Sequence, residues 1–193
     1  MGDTDIFLEG TNTVKGGYED YPGINAPEGK TLTIDGTGSL DASSNGAACG
    51  IGGGWGVPAG NIVINGGTIT ATGSKLAAGI GSGDMTNCNS ITINGGNITA
   101  LGGNNGAGIG SGSDNSSCGS IEITGGTVSA TGGNNAAGIG GGPEGSCGNI
   151  TISDTVTQVT ATKGTGASYS IGAGNGGTCG TVTITDGANV IRN

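Results

Sequence analysis

The chain has 193 residues, 48 of them glycine and 4 proline, and carries a net charge of −9. No apolar run approaches the roughly 20 residues that a transmembrane helix needs, and the basic residues Lys15, Lys30, Lys75, Lys163 and Arg192 lie too far apart to form a nucleic-acid patch. Histidine is absent and only one Trp, one Phe and three Tyr are present, which removes the usual imidazole, zinc and triad chemistries.

So much glycine reads as low complexity, yet the isoleucines recur at nearly fixed intervals, and period is the mark of a repeat architecture. Ile6 and Leu8 open a ladder of short apolar-polar-apolar strands. Its later rungs are Leu32/Ile34, Ile62/Ile64, Ile91/Ile93, Ile121/Ile123, Ile150/Ile152 and Val182/Ile184. A second ladder follows the third to the sixth of these rungs: Ile69/Ala71, Ile98/Ala100, Val128/Ala130 and Val159/Ala161, alternating with outward Thr, Ser, Asn or Gln. A third is carried by the Ala-Gly-Ile-Gly pieces, with Ile51, Ile80, Ile109, Ile139 and Ile171 in equivalent places and Ile24 as a degenerate first member. Each repeat of 29 to 32 residues is therefore expected to hold three strands of about five residues, separated by Asn-Gly-Gly, Gly-Gly-Asn-Asn and Gly-Ser-Gly corners.

Such strands cannot bury a face alone but can when stacked coil on coil, about 4.8 Å apart, with like residues in columns. An antiparallel sandwich would show 8 to 12 residue spacings and no 30-residue echo. The expectation is an all-β parallel β-helix of six to seven coils forming one domain over residues 1–193, with 1–44 as cap and first coils and 45–193 as regular repeats. Met1-Gly2 runs into acidic residues with no basic or apolar leader, and Val190-Ile191-Arg192-Asn193 offers no polar cap, which predicts a piece of a larger protein.

The segments Phe7-Leu8-Glu9-Gly10-Thr11-Asn12-Thr13-Val14 and Ala26-Pro27-Glu28-Gly29-Lys30-Thr31-Leu32-Thr33-Ile34, with the repeated Ala-Gly-Ile-Gly-Ser-Gly and Ile-Thr-Ile-Asn-Gly-Gly, resemble a known family. It is the glycine-rich β-helix repeat domain of large secreted or surface proteins of anaerobic gut bacteria, similar to carbohydrate-binding β-helix domains of the pectate-lyase-like superfamily. The resemblance implies a right-handed coil, export to the exterior or cell surface, and contact with polysaccharide or host glycans.

Four cysteines, Cys88, Cys118, Cys147 and Cys179, hold the same place in successive repeats and should stack in one column, with Ala59 in that slot one coil earlier. Rung spacing suits a disulfide, so bridges such as Cys88 to Cys118 and Cys147 to Cys179 stand beside the alternative of small thiols filling a tight corner. Cys49 belongs to another column and has no partner.

Three further features are candidate sites. Tyr18, Tyr21 and Trp55, with Glu19, Asp20 and Glu28 beside them, should emerge at one corner, either as an aromatic and acidic carbohydrate-binding patch or as a cap over the end of the apolar channel. Asp84, Asp114 and Glu144 follow successive Gly-Ile-Gly pieces and should line one edge, as calcium ligands, paired catalytic acids or solvated loop charges. The glycines flanking each repeat Ile point either to a bare backbone face, suited to a neighbouring domain or a second copy, or to a corner too narrow for side chains. The β-helix pectate lyases that this expected fold resembles pair calcium-held carboxylates with a basic residue, and no such constellation is visible. The expected function is a non-catalytic extracellular carbohydrate-binding or adhesin module, with no membrane insertion, no nucleic acid and no cofactor other than calcium. A ligand-free structural stalk and a degenerate polysaccharide lyase are the alternatives.

Overall fold

The computed structural model describes residues 2–17 and 20–193, which form an all-β parallel solenoid of three sheets. The first sheet stacks Thr4–Leu8, Thr31–Gly36, Ala59–Ile64, Asn87–Ile93 and Ser117–Ile123, then continues through the pairs Ser146–Cys147 with Ile150–Ile152 and Thr178–Cys179 with Val182–Ile184. The second stacks Thr11–Lys15, Ser39–Ser43, Thr68–Thr72, Asn97–Leu101, Thr127–Thr131, Gln158–Thr162 and Val190–Arg192. The third stacks Ile24–Asn25, Ile51–Gly52, Ile80–Gly81, Ile109–Gly110, Ile139–Gly140 and Ile171–Gly172. The third strand of each coil is thus two residues long, not about five, because the glycines around the repeat Ile turn the chain too sharply to extend it.

The predicted columns are present as ladders. Ile62 pairs with Ile91, Ile91 with Ile121 and Ile121 with Ile150, and the repeat isoleucines 24, 51, 80, 109, 139 and 171 pair in succession. Leu40/Ala42 extends the second ladder one coil earlier than expected, on Ile69/Ala71. The first coil corrects the reading of Ile6 and Leu8: Ile6 pairs with Ile34 and Leu8 with Gly36, so this strand sits two residues along from the Leu32/Ile34 rung. A two-residue shift keeps the inward face inward, and Leu8 is 2% exposed.

All three inner faces meet in one channel, in which Ile34, Ile64, Ile80, Ile93, Ile98 and Ile109 are completely buried and Ala71, Ala100, Ala130 and Ala161 leave room for the large residues facing them. Fully burying an isoleucine is worth about 1.5–3 kcal/mol, so a column of them offsets the ordering of a glycine-rich backbone. Outside, stacked amides tie the corners: Asn94 Nδ2 donates to Asn65 Oδ1 at 2.9 Å, and Thr124 Oγ1 to Asn94 Oδ1 at 2.9 Å.

Candidate functional site

At Ile51, Ile80, Ile109 and Ile139 the chain forms a closed loop with the repeat Ile at its tip. The N–H two residues before it donates to the carbonyl two residues after it: Cys49 to Gly53 at 3.0 Å, Ala78 to Ser82 at 3.2 Å, Ala107 to Ser111 at 3.0 Å and Ala137 to Gly141 at 3.0 Å. The flanking glycines are consequently buried, Gly50, Gly52, Gly79, Gly81, Gly108 and Gly110 among them. The bare docking face allowed for them is not on the surface: a Cβ on Gly79 would stand 2.8 Å from the Gly108 and Leu101 carbonyl oxygens. The narrow-corner alternative accounts for these residues.

The residue four places after the repeat Ile also binds back to the preceding coil in four cases, Pro143 having no N–H to do so. Trp55 N–H donates to the Asp20 carbonyl at 3.3 Å, Asp84 N–H to that of Ala47 at 3.4 Å, Ser113 N–H to that of Leu76 at 2.9 Å and Asn175 N–H to that of Asn135 at 2.9 Å. This ladder is what fixes the aromatic corner. It seats Trp55 on the residue preceding Tyr21, whose carbonyl in turn accepts from Ser44 Oγ at 3.0 Å. Trp55 is 50% and Tyr21 61% exposed, so neither ring closes the apolar channel as a cap would. Tyr18 and Glu19, the other members predicted for this corner, lie outside the described residues. Glu28 is placed elsewhere, on the rim of the groove over the cysteines.

The acidic edge is not a single column. Asp114 and Glu144 lie five places after their repeat Ile, share positive φ values of 53° and 54° with Met85 at 53°, and are exposed. Asp84 lies four places after Ile80, in register with Trp55 and Ser113, and is buried at 6% exposure. Its Oδ1 and the Ser113 Oγ, one coil apart in the same column, both lack a hydrogen-bond partner. Burial, reinforced by the charge of Asp114, holds the Asp84 carboxyl above the ordinary aspartate value. Among the described residues no three His, Cys, Asp or Glu side chains converge as a metal site, so the trio Asp84, Asp114 and Glu144 does not assemble.

The cysteine column is as expected. Ala59 pairs with Cys88, Cys88 with Cys118, Cys118 with Cys147 and Cys147 with Cys179. Cys147 and Cys179 are joined by a disulfide across a Cα separation of 4.5 Å, while Cys88, Cys118 and the off-column Cys49 are buried free thiols. The Cys118 thiol is pushed far up by its hydrogen bond to Cys88 and then by burial, and burial above all does the same to Cys49. Above the free pair lies an open groove of about 510 Å³, with Glu28, Asn87, Asn89 and Ser117 on its walls and Cys88 and Cys118 in its floor. Sequence reasoning missed this groove, although strand alternation sends the neighbours of each inward cysteine outward. It also passed over Phe7 and Tyr169, 69% and 58% exposed; Tyr169 lies two residues before Ile171 and walls a second groove of about 390 Å³ at the last coil.

Sequence comparison matches the family model described as Beta helix repeat four times, over residues 32–55, 62–84, 91–113 and 121–143. No curated protein and no solved structure is matched. Each of the four matches begins at an inward residue of the first sheet (Leu32, Ile62, Ile91, Ile121), runs through the second and ends just beyond the repeat Ile, so it covers the three inward turns described above. The chain is a β-helix repeat domain.

Proposed function

We propose that this domain is a non-catalytic glycan-binding module, presented outside the cell on a rigid solenoid, and that Trp55, Tyr21 and Asp20 form its sugar-contacting corner. The observation that carries the reading is the exposure of two aromatic side chains on adjacent coils whose backbones are joined by the Trp55 to Asp20 hydrogen bond. Aromatic rings meet the C–H faces of sugars, and neighbouring carboxylates accept from hydroxyls; a rigid scaffold supplies both without an ordering cost on binding. The Cys147–Cys179 disulfide supports an exterior or otherwise oxidising compartment. The net charge of −9 favours neutral or basic glycans over polyuronates.

A glycan array probed with the purified chain tests the reading. Binding is expected to a subset of neutral plant or host glycans, to be lost in Trp55→Ala and weakened at least tenfold in Tyr21→Ala, with the thermal midpoint of either variant within a few degrees of wild type. No binding to any glycan would favour a second reading, a ligand-free stalk, which draws on the continuity of the ladders from the first coil to the last.

A further inference from the structure

The free thiols Cys88 and Cys118 stand one coil apart in parallel register, the same relation that Cys147 and Cys179 have across their disulfide. Each is 2% exposed, and both lie in the floor of the groove bounded by Asn87, Asn89 and Ser117. Cys118 also pairs in register with Cys147, so two courses compete in the column: oxidation of Cys88 and Cys118 to a second bridge, or redox-neutral exchange of Cys118 onto Cys147 with release of the Cys179 thiolate.

We propose that Cys88 and Cys118 are a redox modification site of this domain, closed to a second coil-to-coil disulfide by a low-molecular-weight disulfide entering the groove. In the first step the Cys118 thiolate attacks one sulfur of the small disulfide, forming a mixed disulfide and releasing one small thiolate. Cys88, as thiolate, then attacks the Cys118 sulfur, the mixed disulfide breaks, and the second small thiolate leaves. Two cysteine thiols are oxidised, one small disulfide is reduced to two thiols, and the two cysteine protons end on those leaving groups. The first bridge survives because Cys118, once joined to Cys88, has no thiolate with which to attack Cys147. Cys49 stays outside the reaction: it is completely buried, packs with Ala77 and Ala78, and its thiol donates to the Gly81 carbonyl at 3.3 Å, away from the column. The high pKa of Cys118 makes the step slow at neutral pH and faster as pH rises.

The test is a thiol count on the full chain before and after incubation with oxidised glutathione at pH 8.5, followed by denaturation without reductant and peptide mapping. The starting chain should titrate three thiols, Cys49, Cys88 and Cys118. The oxidised chain should titrate one, with Cys88–Cys118 and Cys147–Cys179 cross-linked peptides and no bound glutathione. In Cys88→Ser the same treatment should stop at a glutathione adduct on Cys118. Three thiols retained after prolonged incubation, or a Cys118–Cys147 peptide as the main product, would overturn the proposal, and the wild-type result alone decides it if the variant does not fold.

Discussion

Substituting Gly110 by alanine tests the account of the corner most sharply. Gly110 has φ 136° and sits between Gly81 and Gly140 in the third sheet. A Cβ there would press into the Gly140 carbonyl, standing only 2.8 Å from its carbon. Carbon pairs are comfortable at about 3.5 Å or more, and the carbonyl oxygen is nearer still, so the coils must part locally by at least roughly 0.7 Å. The rungs on either side, Ile109 N–H to Gly138 and Ser111 N–H to Gly140, are both 2.9 Å long, and the same movement takes them past hydrogen-bonding reach. Two buried backbone pairs broken at about 1–3 kcal/mol each, with about 1–3 kcal/mol for alanine at this φ, give a loss of roughly 3–9 kcal/mol. Thermal melts followed by circular dichroism should show a midpoint at least about 6 °C lower, at about 2–4 °C per kcal/mol for a chain of this size. Hydrogen exchange should locate the weakening between the coils of Ile109 and Ile139. Gly56→Asn is the matched control: φ is 60°, a Cβ at this position would have nothing within 4 Å, and the equivalent Met85, Asp114 and Glu144 already adopt that backbone. It should change stability by less than about 1 kcal/mol. Equal midpoints for the two variants would refute the close-approach argument.

Three further outcomes are expected. Ile93→Ala, at a completely buried position, should cost about 2–5 kcal/mol in denaturant titrations, whereas Thr92→Ala on the outer face of the same strand should stay within about 0.5 kcal/mol. Reducing Cys147–Cys179, which spans 32 residues, should remove about 3–4 kcal/mol on chain-entropy grounds, read as a lower melting midpoint with reductant that Cys147→Ser reproduces without it. Asp84→Asn should raise the midpoint at pH 7. The folded carboxyl binds its proton more tightly than the unfolded chain does, so the charged group opposes folding above its folded pKa and ceases to do so as pH falls through that value. The advantage of the variant should therefore vanish by about pH 3, below the ordinary aspartate value; an advantage independent of pH would show that charge burial is not its cause.

The columns were legible because inward residues of a solenoid must repeat: Ile, Val, Ala and Cys recur at the coil length, and the alternation on either side tells which face they occupy. What the glycines do was harder to read. A glycine beside Ile80 or Ile109 looks the same in sequence whether it faces solvent or another backbone, and only the loop closure from Ala78 to Ser82 or Ala107 to Ser111 shows it to be the latter. The acidic row failed for a different reason, since the count was available. Asp84 follows its Ile by four residues and Asp114 and Glu144 follow theirs by five, and in a tight loop one residue separates a buried side chain from an exposed one.

That one-residue sensitivity also bears on where recognition can reside. From Ile51 onward, the position four residues past the repeat Ile reads Trp55, Asp84, Ser113, Pro143 and Asn175 along the rod, and its backbone donates to the preceding coil at each except Pro143, which has no N–H. The scaffold thus holds five unlike side chains in like positions, and only the first is a large exposed aromatic. The outer threonine face is the reverse case: Thr70, Thr99, Ser129 and Thr160 repeat in register, but on the same strands the neighbouring column places Leu101, 37% exposed, between Thr72 and Thr131. A ligand that is itself a lattice, such as ice, needs the periodic face unbroken. A single sugar or a short oligosaccharide needs one distinctive coil, and on the proposed glycan-binding reading the coil of Trp55 is that one.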